Sequence, residues 1–264
     1  MFSYHNHSDL SDGHASPEEQ IVSAYNHGIR EFGLSDHFCI MPEGFSCDYG
    51  MENIDLYIKS LETLKKCYAH KLKIKFGVEL ENIPETMRQA EEILRNYPLD
   101  YIIGGTHFAG DMPVDLSKDL WTSLTEDERH RKILNYWEAE YDMCRNADID
   151  IVAHFDLYEK WGPLVQNDYS EYFRECLKAC KERGLATEIN TAKKKPGVDA
   201  FYPNENFLKI LAEYDIPVII SADAHYPVHV TREFEAAKKL FRKYGIKHTA
   251  RFDRRQIKIE TAEF

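Results

Sequence analysis

The run Leu72-Lys73-Ile74-Lys75-Phe76-Gly77-Val78-Glu79, a helical period over 85–96, and then Tyr101-Ile102-Ile103-Gly104-Gly105-Thr106-His107 decide the fold. The two outer runs are short, apolar and rich in β-branched or aromatic side chains, and each is followed by a residue that can hold a metal. The segment between them is long enough and amphipathic enough to be a crossover helix. Strand, helix and strand in this order form the unit of a parallel sheet.

The alternation continues in both directions. Strands are predicted at 2–5, 31–35, 72–78, 101–104, 149–153, 186–189 and 217–221. Helices are predicted at 53–70, 85–96, 126–146, 170–183, 205–214 and 232–244, and a further one opens at Ser16-Pro17-Glu18-Glu19 and runs to Gly28. That opening has a capping serine, a proline at the first helical position and acid in the first turn. No linker, repeat or low-complexity tract interrupts the series. One domain over 1–264 follows, an α/β barrel of seven strand–helix units. Alternation alone does not distinguish a closed barrel from an open doubly wound sheet.

Composition narrows the function. The chain has 264 residues, 43% of them hydrophobic, and a net charge of −12. That charge argues against holding a long phosphodiester polymer, so no nucleic-acid partner is expected and a small substrate is. The six cysteines show no C-x-x-C spacing and no apolar leader precedes His5, which together imply a reducing, cytoplasmic setting. No apolar run approaches the roughly 18 residues of a membrane span, and a monomer or homodimer is expected.

His5 and His7, His37, Glu79, His107, His154, and Asp223 with His225 each follow a strand candidate. In a parallel barrel that end carries the site-building loops, so six segments converge on one mouth. A single histidine after a strand is ordinarily a hydrogen-bonded one. The whole set is a ligand cluster, because residues two apart on a strand point the same way and His5/His7 and Asp223/His225 each offer two ligands to one place. Imidazole and carboxylate without thiolate suit zinc, manganese or iron. Two or three such divalent ions would create a bridging hydroxide and hold the oxygens of an in-line displacement at phosphorus.

His5-Asn6-His7-Ser8-Asp9-Leu10-Ser11-Asp12-Gly13 resembles the opening motif of the polymerase and histidinol phosphatase superfamily, the PHP domain. Ser35-Asp36-His37, Gly77-Val78-Glu79, Gly105-Thr106-His107, Ala153-His154 and Ser221-Ala222-Asp223-Ala224-His225 resemble its later motifs, in order. The resemblance implies a distorted, TIM-like (β/α)7 barrel with a trinuclear cluster at the C-terminal ends of the strands. The first metal takes His5, His7, Glu79 and Asp223, the second Glu79, His107 and His154, and the third Asp12, His37 and His225, with Glu79 bridging. Some members carry a histidine at the third site, which makes His14 a competing ligand or substrate contact.

Within the superfamily, the chain is similar to stand-alone histidinol-phosphate phosphatases. That similarity implies hydrolysis of L-histidinol phosphate by a metal-bridging hydroxide, with Lys160 and Lys193, Lys194 and Lys195 as phosphate contacts. Glu159 stands where a basic residue is expected, and 193–195 are lysine where arginine is usual. Glu79, Asp223 and His225 are the catalytic candidates, with Asp223 or a water near His225 returning the proton to the leaving group. Trp121 and Trp161 are candidate walls for an imidazole pocket, and Cys39 reads as a small apolar residue. Two other readings compete: a phosphoesterase acting on another small ester, nucleotide or short oligonucleotide, and a catalytically inactive metal-binding regulatory barrel.

Overall fold

The computed structural model describes residues 1–162, 164–192 and 201–263. In chain order the elements begin with β1 (Phe2–Ser3), α1 (Pro17–Asn26), β2 (Glu31–Leu34), β3 (His37–Phe38), α2 (Ile54–Cys67), β4 (Lys73–Glu81), α3 (Met87–Leu94) and β5 (Tyr101–Gly105). A small hairpin of β6 (Phe108–Ala109) and β7 (Met112–Pro113) follows, then α4 (Lys118–Thr122), α5 (Glu126–Asn146), β8 (Ile151–Val152), α6 (Ser170–Arg183) and β9 (Ala186–Asn190). The chain ends with α7 (Glu205–Leu211), β10 (Val218–Ser221), α8 (Phe234–Tyr244), β11 (His248–Asp253) and β12 (Gln256–Thr261).

All seven expected strands form, and they pair in parallel in the order β1-β2-β4-β5-β8-β9-β10. A parallel bridge between Asn6 and Ala224 joins the first to the last, and the His7 amide donates to the Ala224 carbonyl at 3.0 Å. The sheet is therefore a nearly closed barrel rather than an open one. Its closing contact falls between the two loops that carry His5/His7 and Asp223/His225.

The barrel interior is small and aromatic. Tyr4, Tyr101, Ile103, Ile151 and Ile219 pack inside with Phe252 from β11, while the larger apolar cluster lies between strands and helices. Tyr101 crosses the interior and donates to the Leu34 carbonyl at 3.1 Å. Gly77 is required there, because a Cβ at that position would sit 2.2 Å from the Tyr101 ring. The helices carry the expected signals: Ser16 with Glu19 and Thr125 with Glu128 form capping boxes, and Gly184 and Gly245 end α6 and α8 in the left-handed region. Among the described residues no helix is long and apolar enough to cross a membrane.

The antiparallel pair β11–β12 was not expected from the sequence. It seals the end of the barrel opposite the histidines, anchored by Lys75, whose ammonium meets Asp100 at 3.2 Å and Asp253 at 2.5 Å. Lys75 and Asp100 are both buried. Lys75→Ala leaves the Asp100 carboxylate with only the Phe76 and Arg254 amides and no countercharge, and should lower the unfolding free energy by about 1–3 kcal/mol, read by urea denaturation.

Candidate metal centre

The ligand candidates lie at or just beyond the C-terminal ends of the strands, and β4 supplies the central one. It runs three residues beyond its predicted end, so Glu79 and Glu81 both lie on the strand and face the same way. Glu79 sits at the middle of the cluster. Its Oε2 lies 2.9 Å from His5 Nε2, 3.4 Å from His7 Nε2 and 3.3 Å from His37 Nδ1. Its Oε1 faces the other way, 3.0 Å from His154 Nε2 and 3.6 Å from His107 Nε2.

Asp223 Oδ1 closes one side of this arrangement at 3.2 Å from His7 Nε2 and 3.7 Å from His5 Nε2. Asp12 closes the other, with Oδ1 at 3.7 Å from His37 Nε2 and 3.8 Å from His7 Nδ1, and Oδ2 at 3.1 Å from His225 Nε2. The Asp12 loop is held by Asp36, which accepts from the Ser8 amide at 2.7 Å and from the Ser8 and Ser11 hydroxyls. Gly13 is needed at its end, since a Cβ there would lie 2.7 Å from the His7 and Ser8 backbone. The donor atoms of His7, Asp12, His37 and His225 all fall within 4.8 Å of one another, as do those of His5, His7 and Glu79, of His5, His154 and Asp223, and of His37, Glu79 and His107.

A second layer of carboxylates orients the imidazoles. Glu188 on β9 contacts His5 Nδ1 at 3.0 Å, takes the Ser221 hydroxyl at 2.6 Å and the His154 amide at 3.1 Å. Glu81 contacts His107 Nδ1 at 2.7 Å and accepts the Tyr49 hydroxyl at 2.5 Å. Sequence reading missed both orienting roles, though the Glu79-x-Glu81 spacing on one strand face carried the signal for Glu81. Outer-sphere carboxylates of this kind set imidazole orientation and basicity. Glu81→Ala should weaken metal binding roughly 10–100-fold, measured by competition with a chromogenic chelator.

The donor atoms fit a metal on physical grounds. His7 Nδ1 and Nε2, His37 Nδ1, His154 Nδ1 and Asp223 Oδ1 are buried without a hydrogen-bond partner, a costly state that a bound cation relieves. Without cations the acids draw protons onto the bases. Burial disfavours a charged His5, but the carboxylates of Glu188, Glu79 and Asp223 outweigh it and raise its pKa well above the ordinary value. His107 is raised against burial by Glu81 and Glu79. Burial holds His37 down at about 3 despite Glu79. Burial also opposes ionisation of Glu79 and Asp223, and the surrounding imidazoles nonetheless press both carboxyls well below their usual range. Asp223 adopts a left-handed φ of 48°, a strained conformation for a non-glycine residue and one typical of functional positions.

The cluster forms the floor of a cavity of about 690 Å³ whose walls include Asp48, Tyr49, Asp115, Lys160, Tyr226 and Arg232. Lys160 reaches this wall and pairs with Asp115 at 3.0 Å. Lys193, Lys194 and Lys195 lie outside the described residues. His14 lines the cavity too, but it is exposed and stacked on Tyr226 with centroids 4.2 Å apart, and it joins none of the ligand groups. Asp12 is the residue whose oxygen falls in a group, with His7, His37 and His225. Trp121 is a correction: it is buried on α4 and donates to the Val114 carbonyl at 2.8 Å, so it packs as core. Trp161 is absent from the cavity wall and lies under the Lys160 ammonium, 5.6 Å from ring centroid to nitrogen. Glu159 accepts from the Asn204 side chain at 3.1 Å.

Comparison with known proteins places the fold and the family. A probable histidinol-phosphatase of Schizosaccharomyces pombe is 26% identical, covering 92% of this chain and 87% of its own, and one of Deinococcus radiodurans is 28% identical, covering 91% and 92%. The crystal structure of histidinol phosphate phosphatase from Lactococcus lactis, complexed with zinc, L-histidinol and phosphate, superposes with a TM-score of 0.82 at 24% identity over 97% of this chain and 98% of that one. The PHP domain matches residues 3–192, a span that contains every ligand candidate except Asp223 and His225, and the chain belongs to that family.

Proposed function

We propose that the protein is a metal-dependent phosphomonoesterase that hydrolyses L-histidinol phosphate to L-histidinol and phosphate. The observation that carries this reading is Glu79, a buried carboxylate with two imidazoles at one oxygen and three at the other, on the floor of an open cavity. Relatives that match nearly the full chain and are named histidinol-phosphatases support the substrate.

His5, His7, Glu79 and Asp223 would hold one ion, Glu79, His107 and His154 a second, and Asp12, His37 and His225 a third. Zinc is the first candidate, with manganese and iron as others. Bound there, the ions supply Lewis acidity that neutralises phosphoryl oxygens and makes water nucleophilic near neutral pH. The chain's own residues supply the rest. Glu188 and Glu81 fix the rings of His5 and His107. Asp223 presents Oδ1 toward the cluster while Asn190 holds its Oδ2 at 3.2 Å, so it can take the proton of the attacking water and return it to the leaving alkoxide. Lys160 places positive charge at the cavity wall, where a phosphate monoester would lie.

The test is phosphate release from histidinol phosphate beside an aryl phosphate and a phosphodiester. The reading expects kcat/KM for histidinol phosphate to exceed that for the aryl phosphate by about three orders of magnitude, roughly 4 kcal/mol of transition-state discrimination. Equal rates across the esters would leave the chemistry in place and remove the substrate.

A further inference from the structure

Arg232 falls at the start of the helix expected over 232–244, yet α8 begins only at Phe234 and leaves Arg232 on the loop that follows His225. There its half-buried side chain joins the wall of the cavity that holds the ligand cluster. Two contacts fix the residue. Its backbone carbonyl accepts the Thr191 hydroxyl at 2.7 Å, and its Nη2 donates to the Ala222 carbonyl at 2.9 Å. The second contact sets the guanidinium against the residue next to Asp223.

The rest of the guanidinium is unspent. Nε is buried without a hydrogen-bond partner, and the bond to Ala222 is the only one its side chain makes among the described residues. Asp223 and Glu233 act on it through space alone. If Asp223 is a metal ligand, its negative charge is already committed, and a partly desolvated cation is left beside a cluster built to receive an anion. Lys160 is in the opposite position, since its ammonium is engaged by Asp115 and lies over Trp161. A planar guanidinium with free donors also matches the tetrahedral face of a phosphate better than a point charge does.

We propose that Arg232 is a phosphate-binding residue, donating from its free edge to a phosphoryl oxygen of the substrate and of the product phosphate. The contact rests on the phosphatase reading for its substrate, but the anion chemistry can be tested without turnover. The probe is inorganic phosphate, bound to the metal-loaded protein and followed by titration calorimetry, with its inhibition constant measured in parallel.

Arg232→Ala should weaken phosphate binding about tenfold or more, the scale of a lost charge-assisted hydrogen bond, and raise KM far more than it lowers kcat. Arg232→Lys should recover part of that loss. Added guanidinium ion should tighten phosphate binding in Arg232→Ala and leave the unaltered protein unchanged. Phosphate affinity within twofold of the unaltered protein in Arg232→Ala carrying a full metal complement would overturn the proposal. So would a loss of affinity that follows loss of metal, which would make Arg232 a support for the Asp223 loop. If no ester is hydrolysed but phosphate binding still depends on Arg232, the substrate reading falls and this contact stands.

Discussion

Glu79→Gln is expected to reduce kcat/KM for phosphomonoester hydrolysis by roughly four orders of magnitude or more, about 5.5 kcal/mol of transition-state stabilisation. The substitution keeps the side chain's size and replaces one carboxylate oxygen with an amide nitrogen. Both oxygens are in use: Oε2 faces His5, His7 and His37, and Oε1 faces His154 and His107. Whichever position the amide nitrogen takes, it presents donors where a cation would sit, and the negative charge shared between the two sets of imidazoles is gone. Metal content should fall in the same preparation, measured by mass spectrometry of the digested protein. Full activity and full metal content in Glu79→Gln would contradict the bridging assignment.

The second large effect is on stability. Stripping metal should lower the unfolding temperature by roughly 10 °C or more, because a site saturated at about a thousand times its Kd adds about 4 kcal/mol and each kcal/mol shifts a chain of this size by about 2–4 °C. The physical source is the set of buried groups left behind. Glu79, Glu188, His5 and His154 are almost wholly inaccessible, and several ring nitrogens have no partner within the protein. Differential scanning calorimetry before and after chelation, and again after addition of zinc, reads the shift. An unchanged transition would mean that the cluster satisfies itself without cations.

Most of the barrel was legible because its signals are local. The helix expected over 126–146 forms as Glu126–Asn146 and the one over 170–183 as Ser170–Arg183, each with apolar periodicity and recognisable ends. The seven parallel strands showed as short apolar runs, since both faces of such strands are covered. The ligand cluster was legible for the same reason, as polar residues abruptly ending apolar runs.

The β11–β12 hairpin was not legible. Its turn uses Arg254 and Arg255, both in the left-handed region at φ 48° and 64°, where glycine or asparagine would ordinarily mark the turn. Tertiary contacts hold it instead: Asp100 takes the Arg254 amide at 3.1 Å, and the Arg255 guanidinium reaches Asp148 at 3.0 Å and also Asp150. The orienting acids were hidden differently. Glu81 and Glu188 are ordinary acidic residues until the barrel closes and brings them behind His107 and His5. Trp121 was misplaced because a short helix, α4, folds it inward from a segment that reads as loop.

The most direct test of the account is phosphate release from histidinol phosphate by one preparation, assayed as isolated, after chelation and after reloading with zinc or manganese, with bound metal counted each time. The account predicts that release follows metal content, disappears on stripping and returns on reloading. Release that survives complete stripping, or none from a fully loaded protein, would contradict it.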